Sequence, residues 1–113
     1  MSKDMDSIKE NLVRRYLATC DECKKFKYYP HAFRSMIASG EDIIEVTKKL
    51  IDSGAAGTSG FTRLFEADRL DLSVERIIYE PQFKVLFSDE VLRAAYDRLQ
   101  EYGYKGLDEL ERP

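Results

Sequence analysis

This 113-residue chain has little of the material from which catalytic sites are built: one histidine and two cysteines. With His31 as the sole imidazole, no Ser-His-Asp or Cys-His arrangement can be assembled without it. It follows Pro30 in the expected first turn of a helix, and no partnered nucleophile accompanies it. Two cysteines three positions apart do not make the disulfide framework of a secreted scaffold. No apolar run approaches the roughly 20 residues needed to cross a bilayer, so no membrane partner is expected. The opening MSKDMDSIKEN carries acids and lacks the apolar stretch of a signal peptide. These absences give the expectation of a reducing, cytoplasmic setting. The small-residue stretch 54–60, Gly-Ala-Ala-Gly-Thr-Ser-Gly, has no lysine after its last glycine and no preceding strand, which excludes a phosphate-binding P-loop.

What is present suits a single globular domain over residues 1–113: 43% hydrophobic and 35% charged residues, in a chain long enough for a real core. The net charge of −3 is unevenly spread. Residues 1–37 hold eight Lys/Arg against five Asp/Glu, and the remaining 76 hold ten against sixteen. Such polarity steers association with a charged partner more than it shapes a fold.

Apolar spacing is helical throughout, and no segment sustains the alternation of a strand, so the fold class is all-α. Ser7-Ile-Lys-Glu10 matches a capping box, placing the first helix from about residue 8 into the low twenties. Lys24 to Tyr29 reads as its frayed end or a connector. Pro30 suits the first turn of a second helix with Phe33, Met36 and Ile37 on its buried face, and Gly40 fits a left-handed cap. A third helix carries Ile43, Ile44, Val46, Thr47, Leu50 and Ile51, ending at Gly54. The 54–60 stretch is then a flexible loop between two helical halves. Phe61, Leu64 and Phe65 mark a short helix, and Leu70 and Leu72 point inward from a turn. Ser73 caps a helix that Pro81 breaks or restarts, and Ser88 starts the last strong helix, closed by Gly103. Leu107 and Leu110 add one more turn. The expectation is a compact bundle of five to six short helices with neighbouring antiparallel packing.

Several residues here form a pattern. Gly60-Phe61-Thr62-x-Leu64, Arg69-Leu70-Asp71-Leu72-Ser73-x-Glu75, Leu86-Phe87, Arg98-Leu99 and Tyr102-Gly103-Tyr104 follow Tyr28-Tyr29-Pro30 and Phe33 to Met36. Residues 28–104 thereby resemble a family of small uncharacterised bacterial helical proteins. The resemblance implies a bacterial origin and a fold-defining motif, and it transfers no catalytic residue. Read physically, the segment from Arg69 to Glu75 is a turn-plus-cap device, in which Asp71 or Ser73 caps and Arg69 pairs with Glu75 or Glu66. The alternative is a functional surface around Arg63, Arg69 and Glu75.

Cys20-Asp-Glu-Cys23 has the spacing of a redox dithiol or half a zinc site. A closed zinc site wants four ligands, and only His31 stands nearby in sequence. On a helix the two thiols fall on neighbouring ridges, and buried structural cysteines are the favoured reading. No metal and no cofactor is expected. Glu41-Asp42 and Asp89-Glu90 sit at helix starts, where acids stabilise exposed amides without any catalytic role.

The most suggestive binding feature is residues 24–34: Lys24, Lys25, Lys27 and Arg34 interleaved with Phe26, Tyr28, Tyr29 and Phe33, plus His31, and no acid. Arg14 and Arg15 on the preceding helix extend it. Cations beside stackable rings suit single-stranded nucleic acid, whereas a sequence pI of about 5.2 lies far from typical nucleic-acid binders. Tyrosines and arginines are also the usual material of protein interfaces. The expected function is a non-enzymatic bacterial protein–protein interaction module, with self-association into a homo-oligomer as one form of it. The alternative is a nucleic-acid-binding regulator. The candidate binding residues are Arg14, Arg15, Lys24, Lys25, Lys27, Tyr28, Tyr29, His31, Arg34, Arg63 and Arg69.

Overall fold

The computed structural model describes residues 2–52 and 59–110, and among these all regular secondary structure is helical, with no strand. Seven α-helices follow in order: α1 Ser2–Cys23, α2 His31–Ala38, α3 Ile43–Asp52, α4 Ser59–Glu66, α5 Val74–Ile77, α6 Pro81–Lys84 and α7 Asp89–Glu101. Single 3-10 turns at 24–26, 70–72 and 107–109 join or extend them. The all-α bundle expected from periodicity is thus present, with one long helix among short ones. Its radius of gyration, 13.3 Å, is that of a closely packed chain of this length.

The first helix begins at Ser2, five residues ahead of Ser7, so the expected capping box is overturned. Ser7 and Glu10 are interior helix residues. The capping signature is a local pattern, and it fails here because the residues before it continue the helix rather than turn away. From α1, Leu12, Tyr16, Thr19, Cys20 and Cys23 are buried in the middle of the molecule. Thr47 of α3 donates to the carbonyl of Ile43 (2.9 Å), so the Tyr16 hydroxyl, 2.7 Å away, must be the donor in their contact. Burial holds the Tyr16 phenol well above its ordinary pKa.

Three helix ends close in the same way. After α1 and its 3-10 turn, Tyr28 N–H donates to Cys23 and Lys27 N–H to Lys24. After α4, Arg69 donates to Leu64 and Asp68 to Phe65. After α7, Tyr104 donates to Leu99 and Gly103 to Gln100. This is the paired-bond Schellman end, which needs one left-handed residue. That residue is Lys27 (φ 63°), Asp68 (φ 58°) and Gly103 (φ 69°), respectively.

Helices α5 and α6 have four residues each, far below the length at which a helix holds itself together in water. They persist because Ile77, Ile78 and Phe83 are buried, each contributing about 1.5–3 kcal/mol of apolar burial. Ser73 accepts from the Arg76 amide at the start of α5, and Ser88 from the Val91 amide at the start of α7, as the sequence indicates. Asp42 plays the same part for α3, accepting from Ile44 (2.8 Å). Hydrogen bonding from Lys9 and from that amide holds its carboxyl below the usual range. Pro81 restarts the chain as the first residue of α6. The loop expected over 54–60 lies outside the described residues, apart from Ser59 and Gly60, which open α4, and the expected stop at Gly54 lies outside them too.

Candidate functional site

The feature that the sequence could not show is a buried ion pair at the joint of three helices. Glu75 of α5 and Arg98 of α7 meet at 2.6 Å, with side-chain exposures of 3% and 8%. Arg98 also donates to the backbone carbonyls of Leu50 and Ile51 in the last turn of α3. Helix C-termini leave such carbonyls without partners, and a guanidinium answers both the orphan acceptors and the negative end of the dipole. Its face lies 5.7 Å from the centre of the Phe61 ring, which packs edge-on against Tyr102 (4.9 Å). Burial pushes the Glu75 carboxyl upward, and the Arg98 charge opposes that push.

Glu75 forms part of the lining of an open cleft of about 550 Å³. One wall runs from Tyr28 to Phe33 and Met36, and the opposite wall is Phe61 and Leu64 of α4 with Leu72 to Val74. Thr19 and Cys23 of α1 and Lys49 and Leu50 of α3 complete it. The Schellman end at Lys27 turns the chain so that Tyr28 follows directly onto the cleft wall. Phe33 and Met36 are half-buried rather than fully covered: Phe33 packs on Tyr16 (5.3 Å), and both line the cleft. Volume and lining are those of a typical ligand or side-chain pocket, mostly apolar with a few polar groups.

Around this cleft the candidate residues divide sharply. Tyr28, Tyr29 and His31 line it, Tyr29 is 51% exposed, and its ring stacks on His31 (6.3 Å, 17°). Arg63 is exposed and lies over the Tyr28 ring at 5.2 Å. Neither Arg63 nor Lys27 forms an ion pair among the described residues. The other candidate cations, Arg14 apart, are occupied. Lys24 and Arg34 both reach Asp21 (3.4 and 3.1 Å), and Lys25 reaches Glu22 (2.9 Å). Arg15 bonds Thr19 and Glu80, the residue just ahead of α6, tying α1 to the start of α6. Arg69 pairs with Asp71 rather than with Glu75 or Glu66, because Glu75 is turned inward to Arg98. Arg14 is exposed on α1 and does not line the cleft.

Cys20 and Cys23 are both buried free thiols. Burial raises both, Cys23 to about 11, which keeps them neutral and unreactive at physiological pH. Among the described residues no three His, Cys, Asp or Glu side chains gather as a metal site would require. The His31 imidazole makes no side-chain hydrogen bond among them. No helix among the described residues is long and apolar enough to cross a membrane. No protein-family model, curated protein or solved structure matches the chain.

Proposed function

We propose that this chain is a non-enzymatic bacterial interaction module whose cleft receives apolar side chains of a protein partner. The observation that carries this reading is the open apolar cleft with an exposed aromatic, Tyr29, on its edge. Aromatic anchors beside desolvated pockets dominate binding energy at protein interfaces. The reactive groups available to an enzyme are poorly placed for chemistry: both thiols are buried and shifted upward, and His31 has no side-chain hydrogen-bond partner among the described residues. The setting is cytoplasmic, and self-association is one way the surface is used.

Ala32 lines the cleft from an exposed position, so Ala32→Trp fills the space without disturbing the core. Tagged wild-type and Ala32→Trp proteins are compared in pull-downs from the native host, each with and without nuclease. A stoichiometric protein that survives nuclease and is lost with Ala32→Trp supports the module. Retention of every partner by the filled cleft overturns it.

A nucleic-acid reading is favoured by one specific arrangement, the stacked Tyr29–His31 pair next to unpaired Lys27. It requires binding that falls steeply with salt and that disappears when Lys24, Lys25 and Lys27 are neutralised. The pairing of Lys24, Lys25 and Arg34 with Asp21 and Glu22 weakens that field and places this reading second.

A further inference from the structure

We infer that the partner presented to this cleft is an acidic peptide segment carrying an apolar anchor, an inference that rests on the interaction-module reading. Charge complementarity beside the lining supports it. Arg63 of α4 lies over the Tyr28 ring at 5.2 Å, and Lys27 directly precedes Tyr28 in the chain; both are exposed, and neither has a carboxylate partner among the described residues. The one carboxylate in the cleft lining, Glu75, is already matched by Arg98. Lys49, the one Lys or Arg of the lining, is held by Glu41 at 2.7 Å. The cleft therefore offers a mostly apolar lining whose charges are matched, with two cations lacking carboxylate partners beside Tyr28.

A bound segment must meet both features together. Leucine, isoleucine or an aromatic ring answers the Phe33, Met36 and Phe61 walls. An Asp or Glu within a turn of that anchor reaches Lys27 or Arg63, where it gains a charge-assisted bond. A basic segment would meet the two cations with like charge, which discriminates against wrong partners more strongly than the matching pair adds affinity. A neutral apolar segment would fill the floor and leave the cations as they are. The acidic segment is the one chemistry that uses the whole surface.

The test is a selection from a displayed library of random peptides of roughly 16 residues, long enough for four helical turns, on the full chain and in parallel on Ala32→Trp. Enriched peptides are then synthesised, labelled and titrated by fluorescence anisotropy against wild type and Lys27→Gln/Arg63→Gln, at about 50 and about 300 mM salt. The expected result is enrichment of Asp and Glu around an apolar anchor, no enrichment on Ala32→Trp, and affinity roughly tenfold weaker for the double variant. Salt should weaken wild-type binding and have less effect on the double variant. Peptides that depend on the open cleft but carry no acidic excess overturn this inference while leaving the module reading intact. Failure to enrich any peptide blocked by Ala32→Trp overturns both. Concentration-dependent dimers broken by Ala32→Trp would identify the occupant as a second copy and overturn the acidic peptide, as would cleft-dependent binding of a single-stranded oligonucleotide in its place.

Discussion

Two regions next to one cleft handle positive charge in opposite ways. Behind the lining, Arg98 is buried, matched to Glu75 and bonded to two backbone carbonyls. On the surface beside Tyr28, Lys27 and Arg63 are exposed, with no carboxylate partner among the described residues. The first arrangement fixes structure, and the second carries no such commitment. A cation beside aromatic rings occurs in both, since Arg98 lies over Phe61 as Arg63 lies over Tyr28. Burial and committed partners, rather than residue type, separate a structural cation from a binding one.

The comparison breaks most severely at the buried pair. Arg98→Met leaves a buried carboxyl and two carbonyls without their donor, and should cost about 3–5 kcal/mol in urea unfolding. Adding Glu75→Met should recover part of that loss, because the uncompensated carboxyl goes and only the carbonyls remain unanswered. Little recovery would mean that Arg98 acts mainly through the α3 carbonyls.

Alkali should act next, chiefly through buried groups. Cys23 is raised from 9.0 to about 11, and Tyr79, which donates to Leu92, from 10.0 to about 12, both mainly by burial. The unfolded chain therefore releases these protons at lower pH than the folded one. The stability they contribute is complete below about pH 9 and is lost as pH rises through the folded values. Urea midpoints should fall between neutral pH and about pH 10, and Cys23→Ala should flatten that fall even though it lowers the starting value. Consistent with the same burial, an aromatic disulfide reagent should titrate the thiols slowly in the native protein and rapidly in denaturant.

Smaller effects sharpen the contrast. Ser73→Ala removes the cap of a four-residue helix and should cost about 1 kcal/mol. Tyr16→Phe removes a buried hydrogen bond to Thr47 and should cost about 1 kcal/mol. On the surface, Arg63→Gln should change the stability by less than about 0.5 kcal/mol, as exposed substitutions do. A larger loss at Arg63 would assign its ring contact to folding rather than to the proposed peptide binding.

Much of this architecture was legible because it is local. Ser73 and Ser88 cap from one residue ahead of their helices, Pro81 opens α6, and Gly103 closes α7. Ser7 misled, since a capping pattern carries no information about whether the preceding chain stays helical. The cleft was legible only in its parts: Tyr28, Tyr29 and His31 stood out as a basic–aromatic stretch, but Phe61, Leu64 and Leu72 read as core. Their opposition arises from packing between segments some thirty residues apart. The pairing of Glu75 with Arg98 was invisible for the same reason: they are 23 positions apart, and in sequence Glu75 was matched with the nearby Arg69 instead. A buried pair has no sequence signature unless the tertiary neighbour is known.

The left-handed residue after α1 sets stability against surface charge. Of the three Schellman ends, one uses glycine, one uses aspartate, and the one that leads into the cleft lining uses lysine. A left-handed lysine costs about 1–2 kcal/mol that glycine would not. Lys27→Gly should therefore raise the melting temperature while discarding an exposed charge next to Tyr28. Any campaign that ranks variants of this chain by heat resistance alone will select against that charge, so stability and the proposed peptide binding must be measured on the same variants.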